Sequence, residues 1–135
     1  MIRLNLFLVL VIFVFLLTTG LSAKEGENSS VDINKACDLK LIKNLDNKKV
    51  ENRANAALEL AQNGCPTIQD KLIDMAEKEE RYAARIVAIV ALTKVGDDMV
   101  VSVLKQRMLE EKRQTVKNVL NGAIQRLEKK QLASL

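Results

Sequence analysis

The feature that most constrains this chain is a repeat of 32 residues. Arg53, Arg85 and Lys117 are spaced by that interval, and each begins a similar segment: RANAALELAQNG, RIVAIVALTKVG and KNVLNGAIQRLE. A period of this length is typical of arrays in which each repeat is one supersecondary unit that buries its apolar side against its neighbours. The sequence therefore predicts three stacked units between residues 31 and 130.

Each unit is predicted to be a pair of helices, called A and B. In the first unit, helix A is expected to begin at a capping box of Ser29 and Asp32 and to carry one apolar stripe at helical spacing, formed by Ile33, Cys37, Leu41, Ile42 and Leu45. Helix B is expected from about residue 50 to 63, because Gly64 stands where helices often end.

The other two units follow the same plan. Pro66 turns the chain, and a capping box of Thr67 and Asp70 is expected to begin the next helix. Further helices are predicted over residues 82–96, from about 98, and from about 113 onward. No segment alternates with period two, so the predicted fold is all-α, an α-solenoid of three helical hairpins over 31–64, 67–96 and 98–130.

The three B helices differ in a way that predicts their order in the stack. The first is apolar on one side and the third on the opposite side, while the middle one is apolar on both. A middle layer has two neighbours, whereas end layers need a polar outer face, so the array is expected to be complete at three repeats. The sides expected to pack between layers include Ala54, Ala57, Leu58 and Ala61 in the first unit and Ile86, Ile89 and Val90 in the second.

Acidic residues precede the repeated basic residues by six or seven positions. These residues form a predicted acid–base ladder: Asp46 with Arg53, Glu79 with Arg85, and Glu111 with Lys117. With the A–B helix pairs and the A-x-x-A-L core, this pattern resembles HEAT repeats, and the short period is similar to the phycobilisome-lyase-like subclass of that family. The resemblance implies a binding scaffold with the B helices on its concave side. It also leaves open an accessory or lyase-like enzyme that holds a small ligand in that groove.

The N-terminus has the parts of an export signal. Arg3 precedes the apolar run 6–17, and Gly20–Ser22 offers a small-x-small cleavage site, so residues 1–23 are predicted to be a signal peptide. Cleavage would release a periplasmic or secreted protein, and the alternative is an uncleaved membrane anchor. Residues 24–30 are expected to be a disordered leader and 131–135 a C-terminal tail.

The chain has two cysteines, Cys37 and Cys65. In an exported protein an even number of cysteines favours a disulfide. The predicted hairpin places the start of helix A and the end of helix B at the same end, within bridging reach. A reactive or metal-binding pair is the alternative, but the sequence has no histidine to complete such a site.

Catalytic and ligand-binding patterns are weak in this sequence. The acidic cluster Glu77, Glu79 and Glu80 has no calcium-loop pattern around it, and is expected to be a solvated turn. Without histidine or an activated nucleophile, no enzymatic activity, metal or cofactor is expected. The basic residues Arg53, Arg85 and Lys117 could form an anion-binding row, although the ladder accounts for them. With one aromatic residue after the expected cleavage site, nucleic acid is not an expected partner.

A protein or peptide is the expected partner of a monomeric module. The side of the B helices opposite Leu60, Leu92 and Ile124 is the predicted binding surface; it comprises Asn55, Gln62, Val87, Lys94, Val119 and Arg126. Val87 and Val119 would form a shallow apolar strip there. The alternative is that these two valines belong to the core between layers.

Overall fold

The computed structural model describes residues 32–135 and is helical throughout this range apart from its turns. The expected signal peptide, the leader and Ser29 lie outside the described residues. The helices are α1 (Ile33–Ala36), α2 (Leu39–Asn44), α3 (Val50–Gln62), a 3₁₀ turn (Pro66–Ile68), α4 (Gln69–Lys78), α5 (Tyr82–Val95), α6 (Asp98–Glu110) and α7 (Gln114–Ala133). No helix within residues 32–135 combines the length and the hydrophobicity needed to cross a bilayer. The predicted all-α solenoid is confirmed.

The middle B helix, α5, packs against α3 on one side, α7 on the other, and α4 within its own unit. Its sequence explains this position, because its charged residues are confined to Arg85 and Lys94 while Ala88, Ile89 and Leu92 are fully buried. A helix that is apolar nearly all round must be covered on nearly every side. The B helices of the two end layers are buried on one side only. The buried side chains of α3 are mostly small, and those of α7 are mostly larger: Ala56, Ala57, Leu60 and Ala61 in α3, and Val116, Leu120, Ala123, Ile124 and Leu127 in α7.

The first A helix differs from the prediction of one continuous helix. It is divided into α1 and α2 at Cys37 and Asp38. The Asp38 side chain accepts hydrogen bonds from the backbone N–H groups of Lys40 and Leu41, so it begins a new helix by capping it. Asp32 caps α1 in the same way, by accepting from the N–H of Asn34.

A disulfide lies at this break in the first A helix. Cys37 and Cys65 are bonded, with their Cα atoms 4.9 Å apart, as predicted. The Thr67 hydroxyl lies 3.6 Å from the sulfur of Cys37 and 3.3 Å from that of Cys65. The predicted capping box of Thr67 and Asp70 is therefore wrong, since Thr67 faces the disulfide and α4 begins after the 3₁₀ turn without a side-chain cap.

Helix ends elsewhere follow the sequence closely. Gly64 has a φ of +75°, a left-handed conformation that favours glycine, directly after α3. Asp97 begins α6 by accepting a hydrogen bond from the N–H of Met99. At the other end α7 continues to Ala133, so most of the expected tail at 131–135 is helical.

Candidate functional site

The outer face of the stack is the side of α3, α5 and α7 that is exposed to solvent. Leu58, Val90 and Gly122 occupy equivalent positions on these three helices, 32 residues apart. Leu58 is 38% exposed and Val90 is 37% exposed. A methyl group added at Gly122 would meet no atom within 4 Å. These three residues are called the apolar strip below.

The exposure of the apolar strip shows that one prediction about packing between layers is wrong. The side chains of Leu58 and Val90 were expected to be buried between layers, with Ala57, Ala61 and Ile89, which are indeed buried. At 100° per residue, Val90 lies opposite Leu92, which is fully buried, and so it points outward. Both sides of α5 are apolar, so its sequence alone could not show which residues face solvent. The alignment of the repeats could have shown that the position of Val90 faces solvent, because its equivalent on α7 is Gly122, which is too small to fill a contact between layers.

The six residues predicted as a binding surface all lie on α3, α5 or α7. Four are exposed: Asn55, Gln62, Lys94 and Arg126. Val87 and Val119 are half-buried and pack against the core. The two valines therefore contribute to the core, as the alternative expected, and their role in partner binding stays a prediction. Leu58 and Val90 are more exposed and lie on the same side of their helices.

Four basic residues lie at one end of the outer face. Arg126 and Lys130 follow Gly122 at intervals of four residues and Lys129 at seven, so all three share its side of α7. Lys94 has the same position on α5 that Arg126 has on α7. Within residues 32–135, no carboxylate oxygen lies within 4 Å of the charged nitrogens of these residues. Lys94, Arg126, Lys129 and Lys130 are called the cationic rim.

A second polar region lies at the turns between the A and B helices. Arg53 donates to both carboxylate oxygens of Glu79, at 2.5 and 2.7 Å, and to the carbonyl oxygens of Asn47 and Lys48. Glu79 belongs to the next repeat. The Arg53 side chain therefore closes its own turn and ties the first layer to the second.

The same arrangement occurs one repeat later. Arg85 donates to the carbonyl oxygens of Glu79 and Glu80, and its guanidinium lies 3.4 Å from the carboxylate of Glu111. Arg107 reaches Glu111 at 3.0 Å from within the last layer. The predicted pairing within each repeat is thus wrong, because Arg53 and Arg85 each meet the acid of the following repeat and only the turn carbonyls of their own.

At the two ends of the ladder, one neighbouring layer is absent and the pairing differs. Asp46 has no preceding layer to supply an arginine, and it pairs with Lys71 of the second layer. Lys117 has no following layer, and among residues 32–135 it has no ion pair. Additional contacts tie the layers at this edge, since Arg81 pairs with Glu51 and the guanidinium of Arg113 lies 4.8 Å from the centre of the Tyr82 ring.

Glu111 is the buried member of the ladder, with 5% of its surface exposed. Burial acts to raise its pKa, but the backbone N–H of Arg113, the charges of Arg85 and Arg107, and the N–H of Lys112 together hold the pKa below its ordinary value of 4.5. The carboxylate is therefore ionised at neutral pH. The buried Nε of Arg85 has no hydrogen-bond partner, so the guanidinium is satisfied only through its other nitrogens.

The turns of the first two layers also border an open groove of about 760 Å³. Its lining is densely charged, but most of these charges neutralise one another in pairs: Arg53 with Glu79, Lys71 with Asp46, Lys78 with Asp74, and Arg81 with Glu51. Two smaller grooves have volumes of about 240 and 420 Å³. Val87 and Val119 line none of the three.

Comparison with protein families decides the assignment. The family model for HEAT repeats matches residues 39–125, which is most of the described structure. The chain belongs to the HEAT-repeat family. No curated protein and no solved structure matches it.

HEAT repeats generally mediate protein–protein interaction, and their fold is typically a non-catalytic scaffold. For this HEAT-repeat protein, the two candidate regions differ in character. The turn edge holds internal ion pairs, whereas the outer face presents apolar side chains and unpaired basic ones. Of these two regions, the outer face therefore offers the combination of apolar and unpaired charged groups that a partner protein could satisfy.

Proposed function

We propose that this chain is an exported adaptor that binds a partner protein through its outer face. The apolar strip is the centre of the site, with Val87 and Val119 beside it and Asn55, Gln62, Lys94 and Arg126 around it. The observation that carries the proposal is the exposure of Leu58 and Val90 at equivalent positions of neighbouring helices.

Single exposed apolar residues are normal on protein surfaces and need no explanation. These two differ because the repeat places them side by side on packed helices and continues the row at Gly122. Polar residues surround the row. An apolar centre with a polar rim is the usual construction of a protein interface.

The proposal that the protein is exported is supported by the N-terminal sequence pattern and by the disulfide. Disulfides form and persist in oxidising compartments and are rare in the cytosol. The Cys37–Cys65 bond therefore supports a periplasmic or secreted location. Location is tested by fractionating cells that express the tagged chain, and by determining the N-terminus of the product. An intact N-terminus in the cytosolic fraction would contradict export.

Partner binding is tested by affinity capture with the purified chain as bait. The Val90→Glu variant places a charge at the centre of the strip, where the side chain is exposed enough to be accommodated. The matched control is Leu109→Glu, because Leu109 is an exposed apolar residue on α6, away from the outer face. Quantitative mass spectrometry compares the captured proteins.

We expect the Val90→Glu bait to lose at least one captured protein that the Leu109→Glu bait keeps. Circular dichroism checks that both variants remain folded. If the two variants and the native chain capture the same proteins in the same amounts, the outer face is not the binding site.

A further inference from the structure

Charge is unevenly distributed over the outer face. Across α5 and α7 together, Glu128 is the one carboxylate, and it pairs with Lys105 of α6. The basic residues of these two helices are Arg85, Lys94, Lys117, Arg126, Lys129 and Lys130. Of these, Lys94, Arg126, Lys129 and Lys130 lie on the outer face, whereas Arg85 and Lys117 belong to the turn edge. The half of the outer face formed by α5 and α7 is therefore positive.

The basic residues of the cationic rim have no partner within the described chain, whereas the arginines of the turn edge do. Arg53 and Arg85 meet carboxylates and carbonyl groups. The rim residues lie on exposed helix surface, close to the strip along the same helices. Unpaired charges next to an apolar row favour a partner that presents the opposite charge beside its own apolar side.

The dimensions of the strip indicate the form of that partner. Packed helices lie roughly 8–10 Å apart, so the row from α3 to α7 is about 20 Å long. An α-helix of about 14 residues has that length. Such a helix, apolar on one side, would cover the row by laying its apolar face along it.

From these observations we propose that the outer face binds an acidic amphipathic helix. Its apolar side covers Leu58 and Val90 and fits closely at Gly122, where no side chain stands. Its carboxylates lie against the cationic rim, over α5 and α7. The inference depends on the proposed function, since it specifies the chemistry of the partner at the same face.

An anionic membrane surface offers the same charge, but the strip fits it poorly. Binding of a protein to the membrane interface relies on bulky apolar side chains that enter the acyl boundary. Here Leu58 and Val90 are nearly two-thirds buried, and the third member of the row is glycine. A shallow row of this kind suits a rigid helix that packs against it.

The test is a selection from a displayed library of random peptides about 14 residues long. The purified full chain is the target, and the Val90→Asp variant of the same chain is used to remove peptides that bind elsewhere. Peptides that depend on Val90 are then compared with the unselected library for net charge and for helical spacing of apolar residues. Binding of individual peptides is measured by fluorescence anisotropy.

We expect the Val90-dependent peptides to be acidic and to carry apolar residues at intervals of three and four. Replacing Lys94 and Arg126 together by glutamine should weaken their binding about three- to tenfold, and added salt should weaken it as well. The matched control replaces Lys40 and Lys43, two exposed lysines of α2, and should leave binding unchanged.

The outcomes separate this inference from the proposed function. Val90-dependent peptides that are neutral or basic would overturn the acidic partner and leave the binding face intact. A selection without Val90-dependent peptides would contradict both. Vesicles of phosphatidylcholine and phosphatidylglycerol provide the last arm. Vesicle binding that requires Val90 and Arg126, together with a selection that yields no acidic Val90-dependent peptide, would assign the face to a membrane and overturn the inference.

Discussion

The first and last layers of the stack each have only one neighbouring layer, and different interactions stabilise them. In the first layer, helix A is reduced to α1 and α2, of four and six residues, and the buried side of α3 is mostly alanine. In the last layer, α6 and α7 have 13 and 20 residues and bury leucine, isoleucine and valine. The first layer has the disulfide, while the last has the buried carboxylate Glu111 between Arg85 and Arg107.

The difference shows how an end layer can be held when it has only one neighbour. Alanine buries little apolar area, so packing contributes less to the first layer than to the last. The covalent bond offsets this by restricting the unfolded chain. The two ends should therefore fail under different conditions, the first on reduction and the last when its buried charge is removed.

The largest effect should come from removing the disulfide. Replacing Cys37 and Cys65 together by alanine should lower the free energy of unfolding by about 3.5 kcal/mol, because the bond closes a loop with a sequence separation of 28. Urea denaturation of the native and variant chains measures the change. Hydrogen exchange should accelerate in α1, α2 and α3 more than in α7. Equal acceleration in both end layers would contradict the comparison.

The next effect should come from the buried ladder acid of the last layer. Glu111→Gln should cost about 2–3 kcal/mol, since it removes the carboxylate that faces the largely buried guanidinium of Arg85 and the nearer of the two carboxylates that face Arg107. The matched control is Asp46→Asn in the first layer, an exposed ladder acid that should change stability by at most about 0.5 kcal/mol. Similar losses for the two variants would mean that burial of Glu111 has no energetic role.

Acid should destabilise the last layer through the same group. The pKa of Glu111 is lowered by folding, so its contribution is fully present above pH 4.5 and is lost as the pH falls through the folded-state pKa. Urea titrations across the acid range should show a steeper loss for the native chain than for Glu111→Gln. Parallel curves for the two chains would remove Glu111 from the acid response.

The smallest effect should be a gain. Gly122→Ala should stabilise the chain by about 0.5–1 kcal/mol, because the position is helical and an added methyl group meets nothing within 4 Å. Gly96→Ala is the contrasting change, since its added methyl group would lie 2.5 Å from the carbonyl oxygen of Leu92 and should destabilise. A loss of stability in Gly122→Ala would show that the open space described at this position is wrong.

The sequence predicted the repeat, the helices, the order of the layers and the disulfide, because each depends on spacing that the chain displays directly. It did not predict the division of helix A at Asp38, since the apolar stripe continues across that point. The partners in the ladder were also wrong: an arginine six residues after an acid can reach the turn carbonyls of its own repeat, and its carboxylate partner comes from the next layer. Leu58 and Val90 were assigned to the core because hydrophobicity alone does not show which side of an apolar helix faces a neighbour.

The most direct test of the central claim is photo-crosslinking from the outer face. A benzophenone amino acid replaces Val90 in one chain and Leu109 in another, and each is irradiated in the cells that produce the protein. Partner binding at the outer face should give a protein adduct of defined mass from position 90 that is absent from position 109. Adducts that are the same at both positions, or absent from position 90 while present at 109, would contradict a partner-binding site on the outer face.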